Sequence, residues 1–203
     1  MESDTYLTIR TFSEGIYKEK GSRFLAYAAP VNSTGEIGEI TGKIKKEHHS
    51  ARHHCYAWML GSDRQNWRVN DDGEPSGTAG KPILGQINSF GLTNILIVVT
   101  RYFGGRLLGT SGLINAYKTA AEDAIRHAEV IEMTVHDHYE IRFPWTAMND
   151  VMRLIKEENL DQSGQKFETV CTMNISFRHS IHDKITGALR RIEGLTYIYL
   201  GTN

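Results

Sequence analysis

The chain has 203 residues, room for one large domain or two small ones, and its 40% hydrophobic content is enough for a real core. Lys and Arg number 23 against 24 Asp and Glu, and the balance holds on either side of residue 134, which excludes a wholly basic nucleic-acid-binding domain and leaves any anion affinity local. Cys55 and Cys171 lie far apart without a CxxC partner, the opening MESDTYLTIR is too polar for a signal peptide, and no apolar run approaches the ~20 residues of a membrane span; a cytoplasmic protein with no membrane association is expected.

After a polar start, RFLAYAAPV (23–31) reads as a strand closed by Pro30. Ile37, Ile40 and Ile44 recur at three- and four-residue steps and predict a helix over about 36–48. Residues 55–60 alternate as a strand with two differently packed faces, and 61–80 form a long polar loop with room for a short edge strand at 67–69. A short helix begins near Pro82, and NILIVVT (94–100) has the uninterrupted apolar character of a strand buried on both faces. From Leu113 to Ala128 the apolar residues form a helical stripe, with Thr110 and Ser111 as candidate N-caps. This region reads as an α/β sandwich with one face of its sheet covered.

The pattern then restarts, with a junction near 132–135 that divides the chain into 1–133 and 134–203. A strand over 135–143 is followed by a helix over 146–159, with Met148, Val151, Met152 and Ile155 inward. A turn near 163–165 separates a short strand from a long one that buries Phe167, Cys171, Met173, Ile175 and Phe177. Ile181, Ile185, Leu189 and Ile192 mark a second helix, and a strand over 195–200 closes the chain. The order β-α-β-β-α-β is that of a ferredoxin-like unit, so the fold class is α+β.

The chemistry concentrates between Asp71 and Lys118. From Pro75 through Ala121 there is no acid, while Lys81, Arg101, Arg106 and Lys118 supply four positive charges. Two glycine-rich loops flank the buried strand, and the second runs through Thr110 and Ser111 into a helix. Helix-start amides, loop amides and arginines are the groups that hold anions. Lys81, Arg101, Tyr102, Gly104, Gly105, Arg106, Thr110 and Ser111 are therefore the candidate anion- or nucleic-acid-binding residues, with Tyr102 and Phe103 as stacking rings; structural ion pairing of the arginines is the competing reading. His53, His54, Asp72 and Glu74 are candidate ligand-shaping residues. Adjacent histidines point to opposite faces of a strand, so His48, His49, His53, His54 and Cys55 do not read as a zinc site, and neither a metal nor a cofactor is expected. There is no GxxxxGK[ST] loop and no GxSxG elbow.

The segments KGSRFLAYAAPV, HHCYAWMLG, DDGEPSGTAGKPIL and VVTRYFGGRLLGTSGLINAY together resemble the IMPACT/YigZ family in its bacterial two-domain form. That resemblance implies a first domain like domain 2 of ribosomal protein S5 and a ferredoxin-like second domain like domain V of elongation factor G. Eukaryotic relatives of the first domain regulate translation under amino-acid starvation, and the family supplies no catalytic residues to carry over. The expected function is a binding factor associated with RNA or the ribosome, with a protein partner also open. The alternative is a hydrolase-like enzyme acting on a small phosphorylated or carboxylated metabolite in the same cleft, with Asp72 or Glu74 as acid/base and His53 or His54 as auxiliary.

Overall fold

The computed structural model describes residues 4–202, so the first three residues of the 1–133 region and Asn203 of the 134–203 region lie outside the described residues. The chain divides into two compact units: Tyr6–Met133, and Thr134 onward together with Asp4 and Thr5. It is a mixed α/β protein with five helices among the described residues, and no helix there is long and apolar enough to cross a membrane.

Up to residue 134 the elements run β1 (Thr5–Ile9), β2 (Ser13–Glu19), β3 (Ser22–Pro30), α1 (Thr34–Glu47), β4 (His53–Leu60), β5 (Asn66–Asn70), α2 (Gly80–Ser89), β6 (Ile95–Tyr102), α3 (Gly109–His127) and β7 (Val130–Thr134). Five of the strands form one sheet in the order β2-β3-β6-β4-β5, antiparallel at every pairing, while β1 pairs with β7. Helices cover both faces of the large sheet, not one as expected. Ile37 and Ile44 of α1 pack on Tyr27, Trp58, Leu96 and Val98, while α2 and α3 bury Ile83, Ile87, Leu113, Tyr117 and Ala121 on Phe24, Ala57, Ile97 and Val99. The central position of β6 follows, since only a strand walled on both sides buries every residue from Ile95 to Arg101.

The polar start holds two strands that periodicity does not reveal. The buried positions of β2 include Ser13 and Gly15, because α3 passes so close that a Cβ on Gly15 would lie 2.2 Å from the Ala124 nitrogen. Small residues replace the apolar signal there. Thr110 and Ser111 are not N-caps: α3 starts at Gly109 behind Leu108, with no side-chain cap, because the left-handed backbone of Gly109 (φ +72°) turns the chain into the helix one residue earlier.

The second unit runs β8 (His136–Phe143), α4 (Met148–Glu157), β9 (Asp161–Phe167), β10 (Cys171–Arg178), α5 (His182–Leu189) and β11 (Thr196–Thr202), with sheet order β11-β8-β10-β9. Tyr139, Ile141, Phe143, Met173, Ile175 and Phe177 meet Val151, Ile155, Ile185 and Leu189 in its core. Three expectations fail locally. The turn predicted at 163–165 is a bulge inside β9, where Gly164 (φ +60°) absorbs a register shift opposite Thr172 and Asn174, and the chain reverses only after Phe167. Phe167 therefore ends an edge strand and is half exposed, and Met152 lies on the outer side of α4.

Candidate functional site

Strands β4 and β6 are register neighbours, with His53 opposite Arg101 and Cys55 opposite Val99. Because side chains alternate along a strand, these four rise on the face covered by α2 and α3, while His54 and Tyr102 belong to the α1 face. There Tyr102 joins a polar chain: its hydroxyl lies 2.9 Å from His48 Nδ1, and His48 Nε2 lies 2.6 Å from the Tyr27 hydroxyl. His54 Nε2–H donates to the His48 carbonyl, and burial lowers the His54 pKa. The two candidate histidines thus serve different faces.

The loop between β5 and α2 carries Glu74 to the site and is held by its own acids. Asp71 accepts the N–H groups of Gly77 at 2.8 Å, Ala79 at 3.1 Å and Gly80 at 2.8 Å, capping α2 from outside the helix. Burial pushes the Asp71 pKa up, but those three donors and Lys81 outweigh it and hold the carboxyl below its usual value. Asp72, at φ +40°, accepts the His54 backbone N–H at 2.7 Å and lies 3.4 Å from Lys45 Nζ. Its carbonyl accepts His53 Nδ1–H at 2.8 Å. That bond orients the ring and places Nε2 3.9 Å from Glu74 Oε1.

Glu74 is buried. Its Oε1 accepts Arg101 Nη1–H at 2.6 Å and the Tyr117 hydroxyl at 2.8 Å. Behind Tyr117, the Cys55 thiol donates to the Asp71 carbonyl at 3.0 Å and sits 3.3 Å from the Tyr117 oxygen. Burial pushes the Cys55 pKa to about 12 and raises that of Tyr117, so the thiol stays protonated and is no nucleophile. Arg101 is 6% exposed, and its Nε has no hydrogen-bond partner among the described residues.

Glu74 and Arg101 wall a cavity of about 370 Å3, bounded also by Arg52, His53, Phe103, Leu107 and the first residues of α3, Gly109 and Thr110. Arg52 and Arg101 both lie over the Phe103 ring, at 5.3 and 5.6 Å from its centre. Of the sequence-derived candidates, the cavity brings together His53, Glu74, Arg101, Phe103 and Thr110. Lys81, Tyr102, Gly104, Gly105, Arg106 and Ser111 do not line it, nor do His54 and Asp72. Gly104 has a packing role: a Cβ there would lie 2.0 Å from the Gly21 carbonyl carbon. Sequence reading missed Arg52, Cys55 as a partner of Tyr117, and Tyr117 itself, which carried the signal of an ordinary apolar helix position.

Residues 20–125 match the Impact N-terminal domain, and that span holds every residue of the cavity. The chain belongs to the IMPACT family. It is similar to the IMPACT family member YvyE of Bacillus subtilis (strain 168), 32% identical over 184 residues that cover 91% of this chain and 83% of that protein. The IMPACT family member YigZ of Escherichia coli (strain K12) is 37% identical over 138 residues, covering 67% of this chain and 68% of YigZ. A solved structure described as a hypothetical protein covers 98% of both chains with a TM-score of 0.74 and 27% identity.

Proposed function

We propose that this IMPACT-family protein is a binding factor that takes an anionic group, a phosphate of single-stranded RNA, into the cavity of its first unit. The observation that carries this reading is Arg101, which has one nitrogen committed to Glu74 and an unpartnered Nε, in the wall of a cavity that also receives the uncapped first turn of a 19-residue helix. Free helix-start amides and a positive dipole end favour an oxyanion there. Arg52 and the exposed ring of Phe103 add charge and a stacking surface at the rim. Lys81, Gly105, Arg106 and Ser111, on the neighbouring loops and helix starts, extend the positive approach. In this reading the regions 1–133 and 134–203 are domains like domain 2 of ribosomal protein S5 and domain V of elongation factor G, and the protein acts in the cytoplasm on RNA or the ribosome in translation regulation. Family resemblance and fold analogy support that setting.

The test is fluorescence anisotropy of a labelled single-stranded RNA against salt, with wild type and Thr110→Glu. Binding should weaken with a slope of about −0.7 per phosphate contact. Thr110→Glu should abolish it while leaving thermal stability equal or higher, because an acid in the first turn of a helix contributes about 0.3–1 kcal/mol. Salt-insensitive binding, or binding unchanged in the variant, removes the cavity from this reading.

One observation favours a second reading, hydrolysis of a small phosphorylated or carboxylated metabolite: His53 Nε2 lies 3.9 Å from the buried Glu74 carboxylate in the wall of the cavity. Turnover of a phosphate or carboxylate ester by wild type that disappears in His53→Gln would favour the enzyme. Equal traces of turnover in both proteins would dismiss it.

A further inference from the structure

The second unit contains a cluster of polar side chains of its own. Asp137 on β8 is fully buried. Its register partners are Phe177, at the end of β10, and Thr202, at the end of β11. Immediately after β10 the chain makes a single 3-10 turn over His179–Ile181 and enters α5 at His182. The spacing His179-Ser180-Ile181-His182 puts two imidazoles three residues apart on one side of a helical turn, and both aim the same ring nitrogen inward. His179 Nδ1 lies 2.9 Å and His182 Nδ1 2.7 Å from Asp137 Oδ2. The backbone N–H of His179 donates to the Val135 carbonyl at 2.9 Å, which fixes the turn against the start of β8.

We propose that Asp137, His179 and His182 form a binding site for one divalent transition-metal ion, of which Zn2+ is the representative. The three ligand atoms lie within 4.8 Å of one another. Metal–nitrogen and metal–oxygen bonds of about 2.0–2.2 Å in a tetrahedral arrangement separate neighbouring ligand atoms by roughly 3.3 Å. The imidazoles therefore need to retreat from Oδ2 by only about half an ångström to admit the ion. The ion takes the place of the two Nδ1 protons that now point at the carboxylate, and each neutral imidazole keeps its one proton on Nε2. Two imidazoles and one carboxylate suit a borderline metal and not Ca2+ or Mg2+, which select all-oxygen shells. The other carboxylate oxygen is already occupied: Thr202 donates its hydroxyl to Oδ1, and the Tyr199 hydroxyl bonds Thr202 in turn. This is the outer-shell pattern that orients a monodentate ligand. The two histidine side chains are 41% and 35% exposed, which gives the ion an entry path and leaves coordination positions for water.

The experiment uses the full chain, freed of metal with a chelator and titrated with ZnCl2 by calorimetry. One equivalent should bind, and Co2+ in its place should give the visible absorption of a low-coordinate nitrogen–oxygen site. His179→Ala and His182→Ala should each lose the equimolar event. Thr202→Val, which removes a positioning group and not a ligand, should weaken affinity by about 10–100-fold. Absence of Zn2+ uptake by the wild type, or undiminished uptake by the His179→Ala/His182→Ala double variant, overturns the proposal. The Co2+ spectrum of the wild type decides the matter even where a variant fails to fold: the weak spectrum of six oxygen ligands would show that no histidine holds the ion and would overturn the proposal.

Discussion

Glu74 and Arg101, 27 residues apart in the chain, meet at 2.6 Å with their side chains 3% and 7% exposed. The pair ties the glycine-rich loop after β5 to the end of β6, and Tyr117 brings α3 into the same junction. A glycine-rich loop, the end of the buried strand and the helix after it are thus locked together by one carboxylate. The basic residue expected to meet an anion already has one nitrogen committed to a buried carboxylate.

Removing either partner should strand the other as an uncompensated buried charge. Glu74→Ala and Arg101→Ala are each expected to cost roughly 3–5 kcal/mol, measured by urea denaturation. The double variant Glu74→Leu/Arg101→Met should recover most of that loss, since apolar replacements of a buried pair are often neutral. If the double variant is as unstable as the sum of the singles, the pair is not the source of the cost.

Gly104 is a close-approach position. A Cβ would meet the Gly21 carbonyl carbon at 2.0 Å and the Ser22 nitrogen at 2.2 Å, both backbone atoms that cannot swing aside. Gly104→Ala should therefore destabilise by about 1–3 kcal/mol through overpacking, seen as a lower denaturation midpoint with an unchanged slope. A midpoint equal to wild type would show that the β2–β3 turn yields freely.

Much of the framework was legible because it rests on strong periodicities: the apolar run at 94–100, the helical stripe after Leu113 and the second β-α-β-β-α-β set all correspond to β6, α3 and β8–β11. The strands β1 and β2 were not, since their buried positions include Ser13 and Gly15, where contact with a helix demands small residues. At the site, residue types pointed to an anion-binding loop, but pairing did not follow from them. Whether Arg101 meets Glu74 or a ligand depends on the register of β4 against β6 and the path of the loop at 71–79, which are long-range outcomes. The alternation of strand faces did carry one usable signal: Arg101 and Tyr102, being adjacent, could not serve one cavity.

Asp71 gives the fold an acid sensitivity with a defined sign. Its folded-state pKa lies below the ordinary value of 3.8, because three backbone donors outweigh the opposing effect of burial. A depressed pKa contributes stability that is present above the unfolded value and is lost as pH falls through the folded one, so the contribution should fade below about pH 4. Asp71→Ala should cost about 0.5–2 kcal/mol near neutrality as the start of α2 loses its cap. The difference between variant and wild type should shrink as pH drops below 3.8. A gap that stays constant down to strongly acidic pH would show that the caps do not depend on the ionised carboxylate.

Arg106 separates surface charge from structural charge. It is exposed in the loop that follows Gly105, whose left-handed backbone (φ +82°) has open space where a side chain would stand, and no ion pair holds it among the described residues. Arg106→Ala should leave the denaturation midpoint within the ~0–1 kcal/mol typical of exposed charges. The same change should lower the affinity for single-stranded RNA and flatten the salt dependence by about 0.7, the slope of one phosphate contact. Thermal melts and salt-dependent anisotropy on one preparation read both quantities. A variant that melts several degrees lower yet keeps the full salt slope would assign Arg106 to the fold and leave phosphate recognition to the cavity alone.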